Sequence, residues 1–211
     1  FGGDGTTGWL YDLGLLDFAG STVVHSTGGW VGLAAILIIG PRTGRFVEGK
    51  VRKFSPSNLP LSVLGVLLLG FGWHGFNGGS QLVLDDAVPG ILLNTFLAAA
   101  AGIVACLIFW GAQNGTAPAG DLINGLLAGL VAITASCNIV TPMGSIIIGA
   151  GGGLVAMYAT RLLERFELDD PVGAIPVHLA GGIFGTLALP FFATEEMLLG
   201  NSQLISYSGN I

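Results

Sequence analysis

The sequence predicts an all-α, multi-pass membrane protein, a polytopic helical bundle. Three observations carry this. Of 211 residues, 52% are hydrophobic and only 9% are charged, against about 25% charged in an ordinary soluble domain. Six apolar stretches reach or approach the ~20 residues that a helix needs to cross a hydrocarbon core about 30 Å thick. All seven Lys and Arg fall in two linkers between those stretches.

The expected spans are 17–40, 58–80, 90–113, 121–140, 143–163 and 172–193. A soluble six-helix bundle would show a polar face on each helix, and these segments show almost none. The 36 glycines suit membrane helices, where small residues let backbones approach closely. They follow no three-residue period, which excludes collagen, and the apolar content excludes a disordered chain.

Orientation follows from the basic residues. The linker 41–57 holds Arg42, Arg45, Lys50, Arg52 and Lys53, and the linker 161–170 holds Arg161 and Arg165. Both should be cytoplasmic, which requires the first span to run from outside to inside. The outer side then receives Asp4, Asp12, Asp85, Asp86, Glu195 and Glu196. No basic patch is interleaved with aromatics, so no nucleic-acid site is expected. Cys106 and Cys137 lie in apolar runs and read as buried free thiols. Phe1 opens into a Gly-rich loop with no initiating Met, so the chain is expected to begin and end inside a longer protein.

Ionisable groups inside a span are expensive and mark function. Asp17 opens the first span and His25 follows eight residues later; His178 stands eight residues after Asp170. Eight helical residues rise ~12 Å, which brings both imidazoles near the midplane from opposite sides. The spacing Asp-x7-His therefore occurs twice in helices of opposite direction, as in an inverted repeat with its site at mid-depth. The alternative is two packed histidines, each hydrogen-bonded to a neighbouring helix. In the second span Trp73 and Phe76 share a face and Ser80 continues it. An aromatic pair with a hydroxyl at the outer mouth suits a cation; it equally suits an interfacial aromatic belt. His74 points away from Trp73 and is not expected to be a ligand. No His stands at metal-ligand spacing from a Cys or carboxylate, and both Asp residues lie ~12 Å from their His along the helix. Neither a metal, a cofactor nor an enzymatic site is expected.

Four segments carry a resemblance. DFAGSTVVH at 17–25, GWHGFNGGS at 72–80, NGLLAGLVAITASC at 124–137 and DDPVGAIPVHLAGGIFGTLA at 169–188 resemble, in order, motifs of the Amt/MEP/Rh ammonium transporters, closer to the Amt branch. The resemblance implies an ammonium-transporter-like fold of eleven helices, of which this chain supplies spans five to ten, assembled as a homotrimer in the cell's plasma membrane with one pore per subunit. It implies ammonium or ammonia as substrate, methylammonium as an analogue, and a cytoplasmic PII-type protein as regulatory partner. His25 and His178 become the paired pore histidines. Phe76 becomes one of two stacked phenylalanines blocking the outer pore, its partner lying on a helix outside this chain. Trp73 and Ser80 become outer ammonium-recruiting residues, and Asp17 the carboxylate shaping that vestibule. Three positions depart from the pattern: His74 stands for Phe, Leu179 for Gly and Ser21 for Gly. A sensor of the same fold joined to a signalling domain is the alternative.

Overall fold

The computed structural model describes residues 8–113 and 115–194. Asp4, Glu195 and Glu196 lie outside them. A short helix α1 (Trp9–Asp12) precedes a π turn, π1 (Ser21–Ser26), which runs into α2 (Thr27–Ile39). A two-stranded hairpin follows, β1 (Phe46–Val47) and β2 (Lys50–Val51), and then α3 (Leu59–Gly79), α4 (Val88–Gln113), α5 (Ala119–Ile133) and α6 (Pro142–Arg165). A second π turn, π2 (Ile175–Ala180), leads into α7 (Gly181–Phe192). The hairpin and an isolated antiparallel bridge between Val140 and Ala193 are the β features among the described residues. The hairpin turns through Glu48 and Gly49 at φ 51° and 70°, the paired positive φ that a tight two-residue hairpin requires.

Helix starts follow local chemistry. Asn58 Oδ1 accepts from the Leu61 N–H at 2.9 Å ahead of α3, and Thr141 Oγ1 accepts from the Gly144 N–H at 3.1 Å ahead of α6. Each satisfies an otherwise orphaned first-turn donor, and Pro60 and Pro142 occupy first-turn positions where no N–H is needed.

Five helical segments are long and apolar enough to cross a membrane: Ser21–Ile39, Leu59–Gly79, Val88–Gln113, Pro142–Arg165 and Ile175–Phe192. The expected fourth span is corrected. Residues 121–140 are not one helix; α5 stops at Ile133 and the chain turns through 134–139. Val131 O, Thr134 O and Ala135 O then accept from Ser21 Oγ, Ala19 N–H and Phe18 N–H, and Asn94 Nδ2 donates to Cys137 O and Val140 O, both at 2.9 Å. The first span likewise starts at Ser21 rather than 17, because Asp17 serves as an acceptor outside the helix.

Helices α4, α5 and α6 form the packed centre, with Ile91, Ala98, Ile133, Cys137 and Ile148 buried between them. Their backbones nearly touch. A Cβ on Gly102 would strike Gly125 O, and one on Gly149 would strike the Ala98 backbone. Leu179, one of the departures noted above, fits for the same reason: Gly29 of α2 leaves room for it, and a Cβ there would come within 2.6 Å of Leu179 Cβ. Cys106 and Cys137 are buried and free.

The two basic linkers meet at one end. Asp169, with its side chain 1% exposed, is held by Arg42 Nε at 2.6 Å, Arg42 Nη2 at 2.8 Å and Arg45 Nε at 3.2 Å. Arg45 also reaches Glu164 at 2.8 Å. The fork of Arg42 holds the Asp169 carboxyl down to about 2. A carboxylate whose folded value lies below its unfolded value adds stability above the unfolded value and loses it as pH falls through the folded one. We predict that Asp169→Asn lowers stability by roughly 2–3 kcal/mol at neutral pH. Thermal unfolding of the detergent-solubilised protein checks this: the gap between variant and parent should close as pH falls from about 4 to about 2.

Candidate functional site: a histidine pair between two π turns

Two segments of matching pattern build the site. Asp17-Phe18-Ala19-Gly20 precedes π1, and Asp170-Pro171-Val172-Gly173 precedes π2. Gly20 and Gly173 both take positive φ, 101° and 75°, a conformation that carries little strain only for glycine. Each Asp then turns back to backbone donors. Asp17 Oδ2 accepts from Thr22 N–H at 2.9 Å and Val23 N–H at 2.8 Å. Asp170 accepts from Val172, Gly173 and Ile175 N–H groups at 3.3, 2.9 and 2.7 Å. In both segments the His stands five residues after the Gly, and His25 N–H bonds back to Gly20 O at 3.0 Å. The turns widen there from α to π, a form that concentrates at functional sites.

The imidazoles meet. His25 Nδ1 and His178 Nδ1 are 3.3 Å apart, and the rings stack with centroids 5.2 Å apart. One Nδ1 donates and the other accepts, so the two rings hold different tautomers. His25 is 9% exposed, and its Nε2 is buried with no partner among the described residues. Trp73 stacks on His25 at 5.0 Å and 20°, and Phe76 lies 5.5 Å from the same ring. Trp73 is 7% exposed, so its indole backs His25 and Phe76 and does not present an open face; its Nε1–H donates to Thr134 Oγ1 at 3.0 Å. Phe76 is 39% exposed. Ser80 caps α3 one turn further on and donates to Phe76 O at 2.8 Å.

Of the residues expected from the sequence, His25, His178, Trp73 and Phe76 thus form one cluster. Ser80 stands above it, and Asp17 is held at the start of π1 without touching either imidazole. His74 lies off the cluster with Nδ1 against Gly70 O at 2.9 Å. Ser21, the third departure, is fully buried, and its hydroxyl donates to Val131 O at 2.6 Å. Sequence reasoning missed Gly20, Gly173 and Thr134. The two glycines had a visible signal, because each stands third after its Asp in both copies.

Helices long enough to span a bilayer, arranged around a histidine pair with an aromatic cap, define a helical membrane protein with a polar point inside its wall. Residues 5–210 match the family model described as Ammonium Transporter Family. A putative ammonium transporter of Synechocystis is 49% identical over 188 residues, covering 89% of this chain and 35% of that protein. An ammonium transporter of Archaeoglobus fulgidus is 47% identical over 182 residues, covering 85% and 39%. Among solved structures, a sensor Amt protein superposes with TM-score 0.89 at 44% identity, covering 96% of this chain and 52% of that one. Saccharomyces cerevisiae Mep2 follows with 0.84 at 32% identity, covering 94% and 45%. The chain belongs to the ammonium transporter family. It spans between about a third and a half of the length of these relatives.

The caps that deliver the histidines make a prediction. Asp17→Ala and Asp170→Ala each strip several backbone donors of their acceptor and should each cost about 1–2 kcal/mol in the thermal unfolding of the full-length protein. Asp86→Ala, at an exposed position, should change it by less than about 0.5 kcal/mol.

Proposed function

We propose that the protein containing this chain carries ammonium nitrogen across the membrane as ammonia, along a dry path lined by His25 and His178. The observation that carries this reading is the imidazole contact, 3.3 Å between Nδ1 atoms, with His25 Nε2 buried and without a partner among the described residues. A bare ion cannot enter such a space without prohibitive desolvation. Desolvation favours the neutral form of a base, so ammonium passes a proton to water at the entrance and ammonia proceeds. Potassium has no proton to lose and is refused. Imidazole both donates and accepts, which suits a guest able to do both. Phe76 and Ser80 stand at the entrance, where the exposed phenyl ring offers cation–π attraction. Trp73 backs them, and Asp17 shapes the approach by fixing the start of π1. On this reading the protein is not an enzyme. It works in the plasma membrane as a homotrimer, with a PII-type protein as its cytoplasmic regulatory partner.

The likeness to a sensor Amt protein favours a second reading, in which the same fold binds ammonium to signal and conducts little. Uptake of labelled methylammonium by cells lacking their own ammonium transporters separates the two. We expect uptake by the full-length protein and a fall of about tenfold or more in His25→Ala and His178→Ala, the effect of losing one buried hydrogen-bonding partner. Binding of ammonium without any uptake would favour the sensor, and uptake unchanged in both variants would overturn the histidine path.

A further inference from the structure

We infer that Thr134 is a positioning residue for the histidine pair, acting through Trp73; the inference rests on the function proposed above. Thr134 sits where α5 stops and is fully buried. Its hydroxyl has one proton, which goes to Leu130 O at 2.7 Å. The lone pairs of Oγ1 therefore point away from that carbonyl, and one of them receives the Trp73 indole N–H at 3.0 Å. An indole N–H is a donor only, and a buried one needs an acceptor. Among the described residues Trp73 Nε1 has this single hydrogen bond, so Thr134 fixes the rotation of the indole about its side-chain torsions. The indole plane is the surface on which His25 stacks at 20°, and His25 in turn stacks on His178 at 24°.

The main chain of the same residue holds the other side of His25. Thr134 O accepts from Ala19 N–H at 3.0 Å, and its neighbour Ala135 O accepts from Phe18 N–H at 3.0 Å. These bonds seat the segment that enters π1. Thr134 thus bears on His25 twice, through the backbone leading to it and through the ring beneath it. The interruption of α5 has a use on this account: a helix continuing through 134 would bond the Thr134 and Ala135 carbonyls internally and leave Phe18 and Ala19 without partners.

A hydroxyl that merely caps α5 through Leu130 would act the same whatever stood at position 73. The test uses the full-length protein in lipid nanodiscs with isotope-labelled histidine, read by the ring signals of His25. Thr134→Val keeps the shape and removes the acceptor; Thr134→Ser keeps the hydroxyl. We expect Thr134→Val to displace the His25 signals, Thr134→Ser to leave them near the parent, and Thr134→Val to add nothing further once Trp73→Phe has removed the indole donor, as a shared interaction requires. In methylammonium uptake Thr134→Val should fall by about tenfold and Thr134→Ser by less than about twofold. His25 signals unmoved by Thr134→Val, or moved equally in the Trp73→Phe background, would overturn the inference. A parent protein with no uptake would sink the proposed function instead, and the His25 signals would still decide the role of Thr134.

Discussion

A backbone N–H or C=O inside hydrocarbon has no water to turn to, so each departure from regular helix within the bilayer must find its partner in the protein. This chain departs three times near its histidines: at π1, at π2 and at the end of α5. Asp17 and Asp170 supply acceptors for donors at the starts of the two π turns. The carbonyls freed beyond Ile133 are taken by Phe18, Ala19 and Asn94, while Ser21 takes Val131 O inside the last turn of α5. One irregular segment satisfies another, since the chain entering π1 is bound to the chain leaving α5. Removing either of these two would strand groups on the other.

This arrangement needs a firm base, and water supplies none of the usual drive for helices to associate within lipid. Close contact between small residues replaces it. Gly102, Gly125, Gly149 and Gly153 let α4, α5 and α6 approach until backbone meets backbone, which leaves no free volume for sliding. At the far end the two linkers are tied by Asp169 to Arg42 and Arg45, a cluster in which the buried carboxylate is matched on both oxygens. Packing and charge thus fix the helices along their length, and the polar site inherits that rigidity.

The histidine pair was legible in the sequence, though by an incomplete route. Asp-x7-His, read as α-helix, placed the two imidazoles at one depth, and they do meet. The chain is not α-helical over that span, however. It leaves regular geometry from Asp17 to Gly20 and completes the approach in a π turn, and hydropathy cannot distinguish π from α. The end of α5 was hidden for a similar reason. The run from Gly125 to Val140 is mostly apolar, and Thr134, Ser136 and Asn138 were too few to break it on a hydropathy scale. Their side chains nevertheless favour local bonds over helix, which is the signal that was available. The shared face of Trp73 and Phe76 followed from their spacing. Which neighbour that face meets did not, because it depends on the crossing of α3 with π1.

The two Asp-x-x-Gly copies are related but not equivalent, and the difference falls on the ring that matters most. Asp170 closes tightly on residues two, three and five ahead, whereas Asp17 reaches five and six ahead. On the first copy the widened turn carries His25 against Trp73, whose indole stacks on it at 5.0 Å and 20°, and brings its Nδ1 within 3.3 Å of His178 Nδ1. One face of that imidazole is occupied and its Nδ1 is engaged. Its Nε2 is buried and without a partner among the described residues. A ring held on one face and at one nitrogen resists rotation, so the fold itself sets the direction of Nε2. An unmatched buried polar atom destabilises the fold; on the function proposed above, that cost is offset because a small hydrogen-bonding guest would meet an orientation already made for it.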